Sequence, residues 1–118
     1  MIITRTPLRV SFVGGGSDLP AFYRRSKGAV LSTSINRYVY ISVHPYFYDS
    51  KFLFKYSKTE ETENIDQISH PLIRNAAEIT GISSGIEMSS SADVPAGTGL
   101  GSSSSFTVCT LHGFKSFM

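Results

Sequence analysis

Hydrophobic and polar residues alternate along the first part of the chain, and this pattern predicts strands. Leu8, Val10 and Phe12 alternate with polar residues, and a period of two is the pattern of a half-buried strand. The glycines at 14–16 break the pattern, so the sequence predicts a strand over Leu8–Val13 that enters a glycine turn. Three later segments, rich in β-branched and aromatic residues, are also predicted strands: 29–34, 38–44 and 51–56.

Two segments have helical patterns. Leu19–Tyr23 predicts a short helix with Ser17 or Asp18 as its N-cap and Pro20 in its first turn. A longer helix is predicted from Pro71 to a stop at Gly81. The residues on its predicted inner face are Leu72, Ile73, Ala76, Ala77 and Thr80.

The last part of the chain predicts a strand, a turn and a glycine loop that opens a helix. Ile86, Met88 and Ser90 alternate with polar residues before the turn at 93–95. After the loop, Phe106, Val108 and Leu111 recur at roughly helical spacing.

Composition and charge narrow the function classes. The chain has 118 residues with a net charge of +2, and its one local basic cluster, Arg24, Arg25 and Lys27, is too small for a nucleic-acid tract. Its single cysteine, Cys109, has no partner for an internal disulfide. The N-terminus resembles no signal peptide, and no apolar run approaches the roughly twenty residues that a bilayer requires. We therefore expect a cytoplasmic protein that acts neither on nucleic acid nor on a membrane.

The segment Pro95–Ser105 carries the chemistry. Its three glycines stand at alternate positions before four serines. Glycines let the backbone approach a ligand, and the free N–H groups of a helix N-terminus favour phosphate. The alternatives are a flexible linker and an ordinary N-cap, but the flanking strand and apolar helix argue against a linker. The spacing fits neither a P-loop nor GxGxxG.

Pro95, Gly99, Leu100, Ser102 and Ser103 match the PxxxGLxSS core of the GHMP kinases, and the chain resembles that family. The resemblance implies that the loop holds ATP and that Ser103, with Ser102 second, is a ligand of Mg²⁺. The implied ATP-binding residues are Pro95, Gly97, Gly99, Leu100, Gly101, Ser102, Ser103 and Ser104.

Another motif, Arg9 to Asp18, is called the first motif because it comes first in the chain. It is similar to the galactokinase pattern RVNLIGEHTD, with Arg9, Val10, Gly14 and Asp18 identical. The resemblance implies that Arg9 is catalytic and assists phosphoryl transfer, and that Asp18 binds sugar hydroxyls. The alternatives are a solvated strand charge for Arg9 and a cap or turn role for Asp18. The implied substrate-binding residues are Gly14, Gly15, Gly16, Ser17 and Asp18.

Gly15 and Gly16 stand where galactokinases have Glu-His, which makes galactose an unsuitable substrate. The stretches TPLRVSFVGGGSDLPAFY and GAVLSTSINRYVYISV instead resemble the D-glycero-D-manno-heptose 7-phosphate kinase branch, which phosphorylates an anomeric hydroxyl. The implied substrates are this sugar phosphate and ATP.

The family resemblance, more than the periodicity, also implies an α+β fold. Its architecture is like the second domain of ribosomal protein S5, with a mostly antiparallel sheet and helices on one side. We expect residues 1–118 to be an incomplete N-terminal ATP-binding domain without the family's C-terminal domain. The family's catalytic acid and third motif have no counterpart here, so we expect no kinase turnover from this chain alone. The alternative class is a non-catalytic S5-like module that binds RNA or is structural.

Several conspicuous residues are not assigned to a site. His44, His70 and His112 lack metal-ligand spacing and suit turn, cap or surface positions. Cys109 lies on the apolar stripe of the last helix and suits the core. The aromatic residues between Tyr38 and Tyr56 suit strand packing, with stacking of one of them on adenine as the alternative.

Overall fold

The computed structural model describes residues 1–118 and contains five strands, three helices and two short 3-10 turns. The 3-10 turns are Gly15–Asp18 and Ile65–Gln67. In chain order the other elements are β1 (Ile2–Val13), α1 (Pro20–Tyr23), β2 (Leu31–Pro45), β3 (Phe52–Lys55), β4 (Thr59–Thr62), α2 (Pro71–Thr80), β5 (Ile86–Ala92) and α3 (Ser102–Phe117).

The five strands form one sheet in the order β1-β2-β5-β3-β4. β1 with β2, β2 with β5, and β3 with β4 are antiparallel, whereas β3 runs parallel to β5. The crossover from β3 to β5 contains β4 and α2, which supplies the length that a parallel connection needs. The predicted α+β class with a mostly antiparallel sheet is confirmed.

One hydrophobic core joins the sheet to the two longer helices. Ile41, Val43 and Met88 from the centre of the sheet are fully buried, α3 packs on β1 and β2, and α2 packs on α3. Cys109 is buried in this core, as predicted. A buried hydrogen bond adds to the contact, because the Thr4 hydroxyl donates to the Cys109 carbonyl at 2.9 Å.

The predicted α2 and β5 are confirmed, and three sequence-based predictions need correction. The segments 29–34 and 38–44 are not separate strands, because β2 runs through the polar residues between them and the ladder with β1 shifts register between Pro7 and Arg9. β4 was missed, since its sequence TEET is polar. The N-cap of α1 is Leu19, because Ser17 and Asp18 belong to the preceding 3-10 turn.

The segment between Arg9 and Tyr38 stands away from the core. None of its residues is buried, and several large apolar side chains there are exposed: Phe12, Val13, Leu19, Phe22, Tyr23, Val30 and Leu31. The ladder between β1 and β2 extends into this segment as far as Val13 and Leu31. The strand pairing therefore holds the first motif in place without a core of its own.

No helix in the structure combines the length and the apolar character that would let it cross a membrane.

The core predicts a contrast between two phenylalanines. Phe54 is fully buried and its ring stacks with that of Phe52 at 5.7 Å, whereas Phe12 is 68% exposed. Phe54→Ala should lower the free energy of unfolding by about 3–5 kcal/mol because it leaves a cavity. Phe12→Ala, the control, should change it by less than about 0.5 kcal/mol. Urea unfolding measures both, and equal losses would contradict this description of the core.

Candidate nucleotide and sugar site

Arg9 joins the two sequence motifs. Its backbone N–H donates to the Leu100 carbonyl at 3.0 Å, and its Nη1 donates to the Gly99 carbonyl at 3.1 Å. The strand that ends in the first glycine motif is therefore attached to the second glycine motif, 90 residues later in the chain. Arg9 is exposed, but it is more than a solvated strand charge, because it contacts the loop through both its backbone and its side chain.

The glycine loop owes its shape to positive backbone angles. Gly97, Gly99 and Gly101 have φ of 82°, 75° and 75°, which residues other than glycine rarely adopt. Gly101 also faces Arg9, since an added Cβ would lie 3.2 Å from Arg9 Cγ. Gly97 and Gly99 face open space, which leaves room for a ligand above the loop.

The loop leads into α3, whose N-terminus is uncapped. Gly101 is at the N-cap position and makes no side-chain cap hydrogen bond. The first N–H groups of a helix have no acceptor within it, so the amides of Ser102, Ser103 and Ser104 are available to an anion. The dipole of this sixteen-residue helix adds to that preference.

The four serines of the cluster have different environments. Ser105 is buried, and its hydroxyl donates to the Pro7 carbonyl at 2.9 Å, which attaches the first turn of α3 to β1. Ser103 and Ser104 are exposed, and Ser102 is half-buried. Ser105 therefore supports the structure, while the three serines before it remain accessible.

A first cleft of about 380 Å³ lies beside this loop. Three ring-bearing side chains form part of its wall, with ring centroids 4.9 Å apart for Tyr56 and His70 and 5.2 Å apart for His70 and Phe106. Its volume is in the range of small-molecule sites. The lining residues are Val39, Tyr56, Ser57, His70, Leu72, Ser90, Ser91, Ala92, Val94, Pro95, Ala96, Ser102, Ser103 and Phe106.

His70 is a neutral part of this wall. Burial lowers the pKa of its imidazole, against a smaller opposite effect of the Glu60 carboxylate. Its Nδ1 is buried and has no hydrogen-bond partner. His70 occupies the N-cap position of α2, as the prediction of a turn or cap role allows, but it makes no side-chain cap.

Asp93 fixes the far edge of the loop to β2. Its Oδ2 accepts from the Tyr38 N–H at 2.8 Å, and its own N–H donates to the Tyr38 carbonyl at 3.0 Å. The sequence places Asp93 in a turn but gives no sign of this reciprocal bonding with a residue 55 positions earlier. The loop therefore has two anchors, Asp93 before it and Arg9 beside it.

A second cleft of about 360 Å³ lies at the first motif. Its lining residues are Ser17, Asp18, Tyr23, Gly28, Ala29 and Val30. Ser17 closes the motif, because its hydroxyl donates to the carbonyls of Gly14 at 2.7 Å and Ala29 at 3.1 Å. Gly28 is needed beside it, since an added Cβ would lie 2.8 Å from Ser17 Cβ. The sequence alone did not identify Gly28 as part of this cleft.

The three glycines of the first motif differ. Gly14 has φ of 92°, and an added Cβ would lie 2.0 Å from the Ala29 carbonyl oxygen. Gly15 and Gly16 have nothing within 4 Å of an added Cβ, so the space beside them is open. Asp18 is exposed and lines the cleft, which leaves its carboxylate accessible.

Five of the fourteen predicted site residues line one of the two clefts, and the other nine line neither. Pro95, Ser102 and Ser103 line the first cleft, and Ser17 and Asp18 line the second. Tyr56 belongs to the group of aromatic residues for which stacking on adenine was the alternative to strand packing. Phe106, in the second turn of α3, was not identified as a site residue from the sequence. No group of three or more His, Cys, Asp or Glu residues forms a metal site, so Mg²⁺ at Ser103 would take further ligands from phosphate and water.

The family model for the GHMP kinases N terminal domain matches residues 68–118, which include α2, β5, the glycine loop and α3. The resemblance to the GHMP kinases is confirmed over residues 68–118, and the chain has the fold of the N-terminal domains of these enzymes.

Individual relatives are sugar and mevalonate kinases. The chain is 27% identical to the D-glycero-alpha-D-manno-heptose 7-phosphate kinase of Campylobacter jejuni. The match covers 99% of this chain and 38% of that kinase. Its fold matches the D-glycero-D-manno-heptose 1-phosphate kinase of Bacteroides thetaiotaomicron with a TM-score of 0.82 at 24% identity, covering 97% of this chain and 41% of that one. Its fold also matches the mevalonate kinase of Methanococcus jannaschii with a TM-score of 0.74 at 20% identity, covering 98% of this chain and 40% of that one. The chain spans about two fifths of these relatives' length.

The first motif predicts a sharp difference between neighbouring glycines. Gly14→Ala should disrupt the Ser17 contacts, because its Cβ would collide with the Ala29 carbonyl and its φ is positive. Amide exchange of Ser17, whose N–H donates to the Gly14 carbonyl at 3.0 Å, should become much faster. Gly15→Ala is the matched control and should leave that exchange unchanged. Equal protection in the two variants would be inconsistent with the described turn.

Proposed function

We propose that residues 1–118 are the ATP-binding and sugar-binding part of a GHMP-type sugar kinase. The observation that carries the proposal is the contact of Arg9 with the carbonyls of Gly99 and Leu100, because it unites a sugar-kinase motif with a phosphate loop. The reaction is transfer of the γ-phosphoryl group of ATP to a sugar hydroxyl. The favoured acceptor is the anomeric hydroxyl of D-glycero-D-manno-heptose 7-phosphate, the sugar named in the similar Campylobacter jejuni kinase.

The residues of the first cleft fit ATP. The uncapped amides of Ser102, Ser103 and Ser104 offer donors to phosphate oxygens, and the exposed Ser103 hydroxyl can contribute to Mg²⁺ coordination. Mg²⁺ would neutralise charge on the phosphates during transfer. Tyr56 and Phe106, which line the same cleft, provide apolar ring surface for adenine.

The second cleft fits the sugar. The accessible carboxylate of Asp18 can accept hydrogen bonds from two hydroxyl groups, and the open space at Gly15 and Gly16 accommodates a large substrate. The Arg9 guanidinium can offset charge that develops on the transferred phosphoryl group. Its position on the glycine loop is suited to that role, since Nη1 already contacts the loop.

The nucleotide site is tested with Ser103→Ala and, as a matched control, Ser116→Ala, which removes an exposed hydroxyl near the other end of α3. Isothermal titration calorimetry should give an Mg-ATP affinity about tenfold lower for Ser103→Ala, because one oxygen ligand of the metal is lost. The affinity for ATP without Mg²⁺ should fall much less. The control variant should bind both like the unchanged chain.

The test measures binding, because the proposal concerns the residues that hold ATP and the sugar. Failure of the unchanged chain to bind Mg-ATP would contradict the proposed function. An equal loss of affinity in Ser116→Ala would contradict the role of Ser103.

A further inference from the structure

The charges of the chain are unevenly distributed. Residues 1–48 contain six Arg or Lys residues and one acidic residue, Asp18. Residues 49–118 contain five Arg or Lys residues and eight acidic ones. The positive half therefore carries the first motif and the second cleft, and a positive potential raises the local concentration of an anionic ligand.

Three of the six cations lie on the chain segment that joins two lining residues of the second cleft, although none of the three lines it. Tyr23 and Gly28 both line the cleft, and the four residues that connect them include Arg24, Arg25 and Lys27. Because both ends of this connection form the cleft wall, the connection itself lies at the edge of the cleft. We call Arg24, Arg25 and Lys27 the basic rim.

The backbone of the basic rim is fixed, while its side chains are exposed. The N–H groups of Arg24, Arg25 and Ser26 donate to carbonyls of α1 at 3.0–3.1 Å, so the segment continues the last turn of that helix. Arg24, Arg25 and Lys27 are all exposed to solvent. The side chains can therefore reach a ligand without unfolding of the segment.

The basic rim has no acidic partner. The ion pairs of the chain are His44 with Glu87, Lys51 with Glu61 and Lys55 with Glu87, all of which lie in or near the strands β2 to β5. Asp18 is the one acidic residue near the rim in sequence, and it forms no ion pair. The three cations are thus available to a ligand.

We propose that the basic rim binds the phosphate group of a phosphorylated sugar held in the second cleft, and so makes the site selective for a sugar phosphate over a free sugar. The proposal rests on the proposed function, because it requires a sugar at Asp18. Arginine suits this role, since its guanidinium can donate two parallel hydrogen bonds to phosphate oxygens. The bound phosphate lies at the outer edge of the cleft, and the hydroxyl groups of the sugar lie towards Asp18.

The test compares D-glycero-D-manno-heptose 7-phosphate with the unphosphorylated heptose by calorimetric titration of the chain. The unchanged chain should bind the sugar phosphate at least tenfold more tightly. The variant R24Q/R25Q/K27Q should lose that preference and keep the same affinity for the free heptose. The three residues are exposed, so the substitutions should not disturb the fold. The amide NMR spectrum of the variant checks this.

A control variant separates specific contact from net charge. K58Q/R74Q/K115Q removes the same number of charges from residues outside the second cleft and outside every ion pair. It should retain the preference for the sugar phosphate. The proposal for the basic rim would be contradicted by an equal loss of this preference in both variants. It would also be contradicted if R24Q/R25Q/K27Q kept the preference.

The two remaining outcomes also test the proposals. If the unchanged chain binds both sugars with equal affinity, the proposal that the basic rim binds phosphate is wrong, whereas the proposal that the second cleft binds a sugar is supported. If it binds neither sugar while Mg-ATP still binds, the sugar part of the proposed function fails and the basic rim fails with it.

Discussion

The structure of the candidate site depends on the attachment of Arg9 to the glycine loop. Two hydrogen bonds, from the Arg9 backbone to Leu100 and from Nη1 to Gly99, connect β1 to the loop before α3. The lack of a side chain at Gly101 makes this contact possible, since a Cβ there would press on the arginine side chain. The attachment therefore brings the two motifs into direct contact.

Hydrogen bonds and buried residues next to Arg9 stabilise this attachment. Thr4 and Ser105 form hydrogen bonds between β1 and α3 on the same side of the sheet, and Leu8 is fully buried one residue before Arg9. Beyond Arg9 the chain has no buried residue until Val39. The site therefore lies where the packed core ends, with the first cleft on the core side and the second cleft in the segment that only strand pairing supports.

Much of the fold follows from local pattern, and the deviations have physical causes. The apolar face and the terminal proline and glycine predicted α2 well, because its buried residues recur at helical spacing. The continuation of β2 through Asn36 and Arg37 was missed, since polar residues suit a turn. In the structure these two residues lie in the irregularity where the β1 ladder shifts from Tyr38 to Ser34. β4 was missed because a short polar edge strand has no apolar alternation to reveal it.

The site was predictable where it depends on motifs and unpredictable where it depends on distant contacts. The glycine loop, its serines and Asp18 were identified from the sequence, and each lies in or beside a cleft. The bonding of Asp93 with Tyr38 and the ring contacts of His70 join residues far apart in the chain. Single-sequence patterns carry no information about such pairs.

We propose that the two motifs form one site for a nucleotide and a sugar phosphate. Amide NMR spectra of the chain, recorded with Mg-ATP and with D-glycero-D-manno-heptose 7-phosphate in separate titrations, test it most directly. We expect Mg-ATP to shift the amides of 97–104, the sugar phosphate to shift those of 14–18, and both ligands to shift the amide of Arg9. Shifts from the two ligands that share no residue, with Arg9 unaffected by either, would contradict it.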